Sequence, residues 1–362
     1  MKAGIIGATG YAGAELVRLL SGHPNVDGLE LSSVSYEGGR IEDVYPNFFK
    51  KVSAELKKAD VVIETADVVF ASLPHGIGEG FAKACIERGK PFIDLSADFR
   101  FGSDEAAFSA WYGKGYQYPD LREYSVYGLP ELNRQAIKAK NKRVIVGNPG
   151  CYPTAATLGA MPALIKGLVG TSAIIVDAAS GITGGGREFA RSYHFPECAD
   201  AMSPYKVGCH RHMPEIARNF AVIAGRAIPL VFTPHLAPMN RGILATIYIP
   251  LADAQPVSVP LHPPSKEIAA KTAEIHALYA EFYKNEPFIR VLSLGSVAAT
   301  NRVRQSNFCD LSVHLDQTGS MLIVISAIDN MVKGAAGQAI QNMNIVCGFA
   351  EDAGLSTIPA LF

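Results

Sequence analysis

Cysteine is scarce in this chain. Six occur in 362 residues, and no two stand in a Cys-x-x-Cys spacing. That excludes a disulfide-stapled scaffold and a zinc ribbon, and it predicts a reducing compartment, the cytoplasm. No apolar run reaches the length that spans a bilayer as a helix. Charge is nearly cancelled, 33 Lys and Arg against 34 Asp and Glu. Neither nucleic acid nor an anionic membrane is therefore indicated as a partner. Internal repeats and low-complexity tracts are missing too. The chain enters a strand-like run at Lys2, which predicts that no signal peptide is present. What is there is 48% hydrophobic and long enough for two domains, each with its own core.

The most informative stretch is Gly147-Asn148-Pro149-Gly150-Cys151-Tyr152-Pro153-Thr154. Arg143 to Val146 before it reads as a short buried strand. Thr154 to Ile165 after it reads as a helix, with Pro153 suited to the first turn. Cys151 is thereby expected at a strand-to-helix junction, beside backbone N–H groups and the positive end of the helix dipole. Both favour the thiolate, and the same N–H groups suit an oxyanion. A buried structural cysteine would leave the surrounding Gly and Pro residues unexplained.

A second turn lies near the start. Lys2 to Ile6 is strand-like, and it runs through Gly7-Ala8-Thr9-Gly10-Tyr11-Ala12-Gly13 into the helical pattern Ala14 to Leu20. The spacing is G-x-x-G-x-x-G. In a strand–turn–helix context such a turn cradles a pyrophosphate, because Gly lets the backbone approach and the helix N-terminus supplies N–H groups.

Further strands are expected over Gly28 to Ser35, Asp67 to Pro74 and Pro91 to Leu95, with a helix from Gly76 to Arg88. This alternation predicts an α/β fold with a parallel sheet and ligands at the carboxyl ends of its strands. Beyond Cys151 the pattern changes. Ser172 to Ala178, Leu230 to Thr233, Ile243 to Ile249 and Ser320 to Ile328 read as strands of a mixed sheet, with Thr272 to Tyr283 as a helix. Met331 to Val346 reads as a helix whose small residues pack closely on the first domain.

Together these segments resemble the N-acetyl-γ-glutamyl-phosphate reductase family of the aspartate-semialdehyde dehydrogenase superfamily. The resemblance runs through Gly7 to Leu16, Leu73 to Gly76, Asp94 to Arg100, Tyr127 to Asn133 and Asn148 to Thr154. It continues through His210 to Ile216, Phe232 to Leu236 and Asp329 to Gln338. It implies a Rossmann-type parallel-sheet domain over 1–150, completed by a C-terminal helix over 330–362. An α+β catalytic and dimerisation domain with a mixed sheet is implied over 151–329. It also implies an NADP(H)-dependent reductase of a small acyl phosphate, acting in arginine biosynthesis as a homo-dimer or homo-tetramer. One departure stands out. The family often places Ser-Arg after the second strand, where NADP carries its 2′-phosphate, and here Ser33 is followed by Val34.

In that chemistry a thiolate displaces phosphate to form a thioester, which a hydride then reduces. Cys151 is the expected nucleophile. His210 is the expected acid–base residue, since the first histidine of His210-Arg211-His212 best matches the family position. His212 and His235 are alternatives, and no metal site is expected. The expected cofactor contacts are Gly7, Thr9, Gly10, Tyr11, Ala12 and Gly13, then Ser33, Ser35 and Arg40, then Pro74 and His75, and finally Gly184, Gly185 and Asn330. Arg100, Asn148, Arg187 and Arg191 are the expected substrate contacts. An aspartyl, aminoadipyl or carrier-linked acyl phosphate would use the same chemistry. A nicotinamide-binding regulator without catalysis would not need the intact Cys151 turn.

Overall fold

The computed structural model describes residues 1–140, 142–252 and 265–361. It divides into two compact units. The first comprises Met1–Gly150, Gly185–Glu188 and Met331–Ile358, and the second comprises Cys151–Gly184, Phe189–Asn330 and Pro359–Phe362.

The first unit is built on seven strands: β1 (Lys2–Ile6), β2 (Gly28–Ser32), β3 (Leu56–Lys57), β4 (Val68–Ala71), β5 (Phe92–Asp94), β6 (Ser125–Tyr127) and β7 (Ile145–Gly147). Their order is β3-β2-β1-β4-β5-β7-β6, and every pair is parallel. The strands of this sheet's centre are apolar on both faces, as a helix-covered parallel sheet requires. The order in which strands are added reverses between β1 and β4, which makes a crevice at their carboxyl ends. Several strands are shorter than the sequence pattern suggests. The second stops at Ser32, because Ser33 to Arg40 turn away from the sheet.

The C-terminal part of this unit is not one uninterrupted α-helix. Val332–Ala336 is π-helical and Gly337–Cys347 is α-helical. Gly348 in the left-handed region (φ 74°) ends it. Turns follow, so the helix expected over 330–362 closes early, and Phe362 lies outside the described residues. The small residues Gly334, Ala335 and Ala336 bring the segment against the helices Tyr11–Leu20 and Pro130–Ala139. Lys333 is fully buried there and donates to Glu131 (2.6 Å) and Gln341 (2.7 Å).

The second unit carries β8 (Ile174–Ser180), β9 (Ser203–Pro204), β10 (Leu230–Leu236), β11 (Ile243–Pro250), β12 (Ile289–Val291), β13 (Cys309–Leu315) and β14 (Met321–Ile328). The order is β12-β13-β14-β11-β8-β10-β9. β8 with β10 and β12 with β13 are parallel, and the remaining pairs are antiparallel. β11 alternates buried and half-buried side chains along its whole length. The helix Cys151–Ile165 packs on β11 and β14. A Cβ on Gly159 would stand 2.3 Å from Ile247 Cδ1, so this contact needs glycine.

That helix is buried from Tyr152 to Leu164, so no face of it is amphipathic. Pro162 lies inside it and cannot donate to the carbonyl of Leu158 four residues back. The Tyr283 hydroxyl donates to that carbonyl instead, at 2.6 Å, and Tyr279 donates to the carbonyl of Gly159 at 3.0 Å. Both tyrosines come from the helix Lys266–Tyr283. The helix that begins at the cysteine is therefore clamped as well as buried.

Candidate active site and nucleotide cleft

The first unit contains a cleft of ≈ 730 Å³ at the carboxyl ends of β1 to β4, a usual size for a small-molecule site. Its floor is the turn after β1. Gly7 has φ 84°, and a Cβ there would come within 2.2 Å of the Ser72 carbonyl oxygen. A Cβ on Gly13 would stand 2.1 Å from the Gly7 carbonyl oxygen. Gly7 thus makes the turn, and Gly13 lets the helix pack on it. Gly10 and Thr9 face the cleft, and the Thr9 hydroxyl bonds Ser33 Oγ at 2.7 Å. Tyr11 and Ala12 form the first turn of the helix behind. Ser33, Ser35 and Pro74 also line the cleft. These residues fit the pyrophosphate and ribose of a dinucleotide, held by backbone N–H groups at a ten-residue helix.

Three expected contacts have partners of their own in the structure. Arg40 bonds Glu42 and Ser53 and is not among the residues lining the cleft. His75 Nδ1 accepts from Ala97 N at 2.9 Å, and its ring meets Tyr112 edge-on. Arg187 does line the cleft, although the sequence suggests a substrate contact. It donates to the Thr9 carbonyl at 3.0 Å and lies over the Tyr45 and Tyr36 rings. Lys57 and Lys58 line the cleft as well, and nothing in the local sequence pattern singles them out.

The loop leading to the cysteine is fixed from within the first unit. Arg100 is 4% exposed, and donates to the carbonyls of Asn148 (2.7 Å) and Leu95 (2.8 Å). Asn148 is buried. Its amide donates to the Ala335 carbonyl at 3.1 Å, and its Oδ1 accepts from Asn342 at 3.1 Å. Both residues are occupied in shaping the exit of β7. Nearby, Asp98 accepts from Gly76 N (2.6 Å) and Gly78 N (3.0 Å). Burial first, and then Asp98, push the Asp94 carboxyl well above the ordinary carboxylate range.

The second unit holds the residues expected to carry the chemistry. Cys151 is half-buried and is the first residue of the fifteen-residue helix Cys151–Ile165. The N–H groups of that first turn have no partner inside the helix, and the dipole favours negative charge there. His210 is 6% exposed, and its ring packs edge-on against Tyr152, Tyr205, His212 and Phe232. Burial, followed by the positive charges of Arg211 and Lys206, lowers its pKa to about 4. The ring is therefore neutral at pH 7. Its Nδ1 accepts from His212 N at 3.0 Å, so the neutral form carries its hydrogen on Nε2.

Two phenols complete this cluster. The Tyr205 hydroxyl donates to the Tyr152 hydroxyl at 3.1 Å, and Tyr152 donates to the His235 carbonyl at 3.4 Å. Burial pushes both phenols far above their ordinary value, and the charge on Cys151 acts in the same direction. They remain protonated. Sequence reasoning missed Tyr205, which lies more than fifty residues from Cys151 and carries no motif. Asn330 accepts from Gly242 N (2.7 Å) and donates to Thr183 Oγ1 (3.0 Å). It ties down the turn Ile182–Gly185, which contains Gly184 and Gly185. Arg191 is 90% exposed on its side chain and 3.9 Å from Glu197. Among the described residues no three His, Cys, Asp or Glu side chains are grouped to hold a metal ion.

A parallel dinucleotide-type sheet and a mixed-sheet unit opening on a helix-terminal cysteine define the chain as a semialdehyde dehydrogenase-type protein. Family models agree: the semialdehyde dehydrogenase NAD binding domain matches residues 2–140, and the semialdehyde dehydrogenase dimerisation domain matches residues 151–330. The fold is similar to that of aspartate semialdehyde dehydrogenase II from Vibrio cholerae, with TM-score 0.71 and 17% identity over 96% of this chain and 98% of that one. It is also similar to the Candida albicans aspartate semialdehyde dehydrogenase solved with NADP, with TM-score 0.66 and 16% identity over 97% and 99% of the two chains. Among curated relatives, N-acetyl-γ-glutamyl-phosphate reductase of Clostridium kluyveri is 46% identical and that of Clostridium beijerinckii 48% identical, each over the full length of both chains. The chain belongs to the N-acetyl-γ-glutamyl-phosphate reductase family.

Proposed function

We propose that the chain reduces N-acetyl-γ-glutamyl phosphate to N-acetylglutamate 5-semialdehyde with release of phosphate, a step of arginine biosynthesis, using NADPH. The observation that carries this reading is Cys151 at the first position of a clamped, buried helix. Its thiolate attacks the acyl carbon, and the C–O bond to phosphate breaks as the C–S bond forms. Phosphate leaves with the bonding electron pair. Gly7 to Gly10 would hold the nucleotide, with Ser33, Ser35 and Arg187 beside it, and a bound nicotinamide would supply a hydride to the thioester carbon. Collapse of the thiohemiacetal returns the electron pair to Cys151 and frees the aldehyde.

His210 is the acid–base residue in this reading. Its neutral ring offers Nε2–H to the acyl oxygen as charge builds there, a role in which imidazole need not be protonated. Arg211 and Lys206, the cations that depress His210, hold the phosphate of the substrate. Arg100 and Asn148 serve by shaping the loop before Cys151, and Arg191 closes on the substrate carboxylate. NADP(H) is favoured over NAD(H) because no Asp or Glu directly follows β2, where one would hold a free ribose hydroxyl. The match of the second half to a dimerisation domain supports a homo-dimer or homo-tetramer. The sparse cysteines support a cytoplasmic location.

The test is phosphate-dependent oxidation of a panel of semialdehydes, joined to mass spectrometry of enzyme mixed with acyl phosphate and no nucleotide. N-acetylglutamate 5-semialdehyde should be the preferred substrate, and the Cys151 peptide should carry the acyl group. Preference for aspartate or aminoadipate semialdehyde would overturn the substrate. An unmodified Cys151 would overturn the mechanism.

A further inference from the structure

We propose that Lys58 is the residue by which this chain tells a nucleotide with a 2′-phosphate from one with a free ribose hydroxyl, with Glu37 as its counterweight. The inference rests on the NADP(H) reading above. Its basis is the end of the sheet. β2 and β3 pair in parallel with Ser32 opposite Lys57. Both strands end at that pair, so Ser33 and Lys58 leave the sheet side by side at its carboxyl edge. That edge is where a dinucleotide fold reads the ribose substituent, and Ser33, Glu37 and Lys58 all line the cleft.

A 2′-phosphate needs a cation, and the other cations near this edge are committed. Val34, directly after Ser33, is an apolar side chain, 93% exposed. Arg40 is held by Glu42 and Ser53 and is not among the residues lining the cleft. Lys57 is bound to Glu30 at 2.6 Å. Arg187 is bound to the Thr9 carbonyl and stacked over Tyr45, on the glycine turn. Among the described residues Lys58 has only a loose pairing with Glu37, at 3.9 Å, with side chains 70% and 48% exposed. A pair of this kind contributes little, so a phosphate carrying up to two charges displaces Glu37 from it. Without Lys58, the Glu37 carboxylate would face the phosphate uncompensated and repel it. The recognition is thus carried from the end of the third strand.

The experiment is calorimetric binding of 2′,5′-ADP and 5′-AMP, which report the phosphate without catalysis. Lys58→Ala should weaken 2′,5′-ADP roughly tenfold or more, with 5′-AMP nearly unchanged. Lys58→Arg should retain the preference. Glu37→Gln should tighten 2′,5′-ADP, and Lys58→Ala combined with Glu37→Gln should recover part of the loss. Arg40→Ala should change neither ligand. If wild type prefers 2′,5′-ADP and Lys58→Ala leaves that preference intact, or weakens both ligands alike, the assignment to Lys58 is wrong while the NADP(H) reading stands. If wild type binds both ligands equally, the NADP(H) reading falls and this inference with it.

Discussion

Two turns in this molecule use the same device, a strand that breaks at glycine and hands the chain to a helix N-terminus. After β1, the first residue of the helix is Tyr11, 39% exposed, and the helix Tyr11–Leu20 buries one face. After β7, the first residue is Cys151, and the helix is buried from Tyr152 to Leu164. The first turn has N–H groups and space, so it suits an anion brought from outside. The second has the same field but carries a thiol of its own, the proposed nucleophile, on a helix clamped by Tyr279 and Tyr283. In the proposed mechanism the same kind of backbone field therefore binds in one place and activates in the other. The side chain at the first helical position, and how firmly the helix is held, decide which.

The comparison breaks most severely at the nucleophile. Cys151→Ser keeps the turn and replaces a thiol by a hydroxyl that is not ionised at neutral pH. Turnover should fall by roughly four decades or more, while circular dichroism and nucleotide binding stay as in wild type. A folded Cys151→Ser protein with near-normal kcat would mean that the second turn is only structural.

His210→Asn comes next, with an expected loss of two to four decades in kcat, about the range for a general acid–base group. Affinity for the nucleotide should not move. Protonating His210 would remove the acceptor that His212 N uses. The acid limb of wild-type kcat/KM should accordingly lie near 4, not at the ordinary histidine value. If His212→Asn or His235→Asn shows the larger loss, the proton-handling role belongs to that residue.

At the first turn the effect is one of fit. Gly13→Ala would place a methyl group 2.1 Å from the Gly7 carbonyl oxygen. Either the turn or the helix must shift, at a cost of about 2–3 kcal/mol in stability, and nucleotide affinity should fall as the N–H groups lose their aim. Denaturant unfolding and nucleotide titration measure the two together. Full stability would show that this turn, unlike the cysteine turn, is not held by close packing.

Both turns are legible in the sequence because glycine and proline spacing reports backbone shape directly. The parallel sheet is legible too, since runs such as Val68–Ala71 are apolar throughout. What escapes are elements whose polar residues are satisfied only by distant partners. β13 reads Cys-Asp-Leu-Ser-Val-His-Leu, and Asp310 is buried because Arg290 reaches it at 2.6 Å. The π-helical turn at Val332 depends on a lysine buried against Glu131, 202 residues earlier. Arg187 sits on Thr9, 178 residues away, so its neighbours in sequence point to a substrate role and its place in the fold points to the nucleotide. Tyr205 joins the site through the Tyr152 hydroxyl and the His210 ring, contacts that no spacing predicts.

The smallest expected effect concerns pH, and it separates the two units by sign. Asp94 is fully buried beside Asp98, with Ser96 N and Oγ bonded to it and Arg100 close enough to act on its charge. Its folded-state pKa is raised, so the folded chain holds a proton that the unfolded chain has already released. The stability this contributes is complete below the unfolded value of 3.8 and is lost as pH rises through the raised folded value. His210 in the second unit runs the other way. Its folded pKa is lowered, so its contribution is present above 6.5 and is lost as pH falls toward about 4. Asp94→Asn keeps an acceptor for Ser96 and removes the titration. The Tm of Asp94→Asn relative to wild type should climb steadily from pH 4 to pH 8. For His210→Asn the relative Tm should instead climb as the medium is acidified below pH 6.5. A flat difference for Asp94→Asn would mean that Asp94 does not hold a proton in the folded chain over this range.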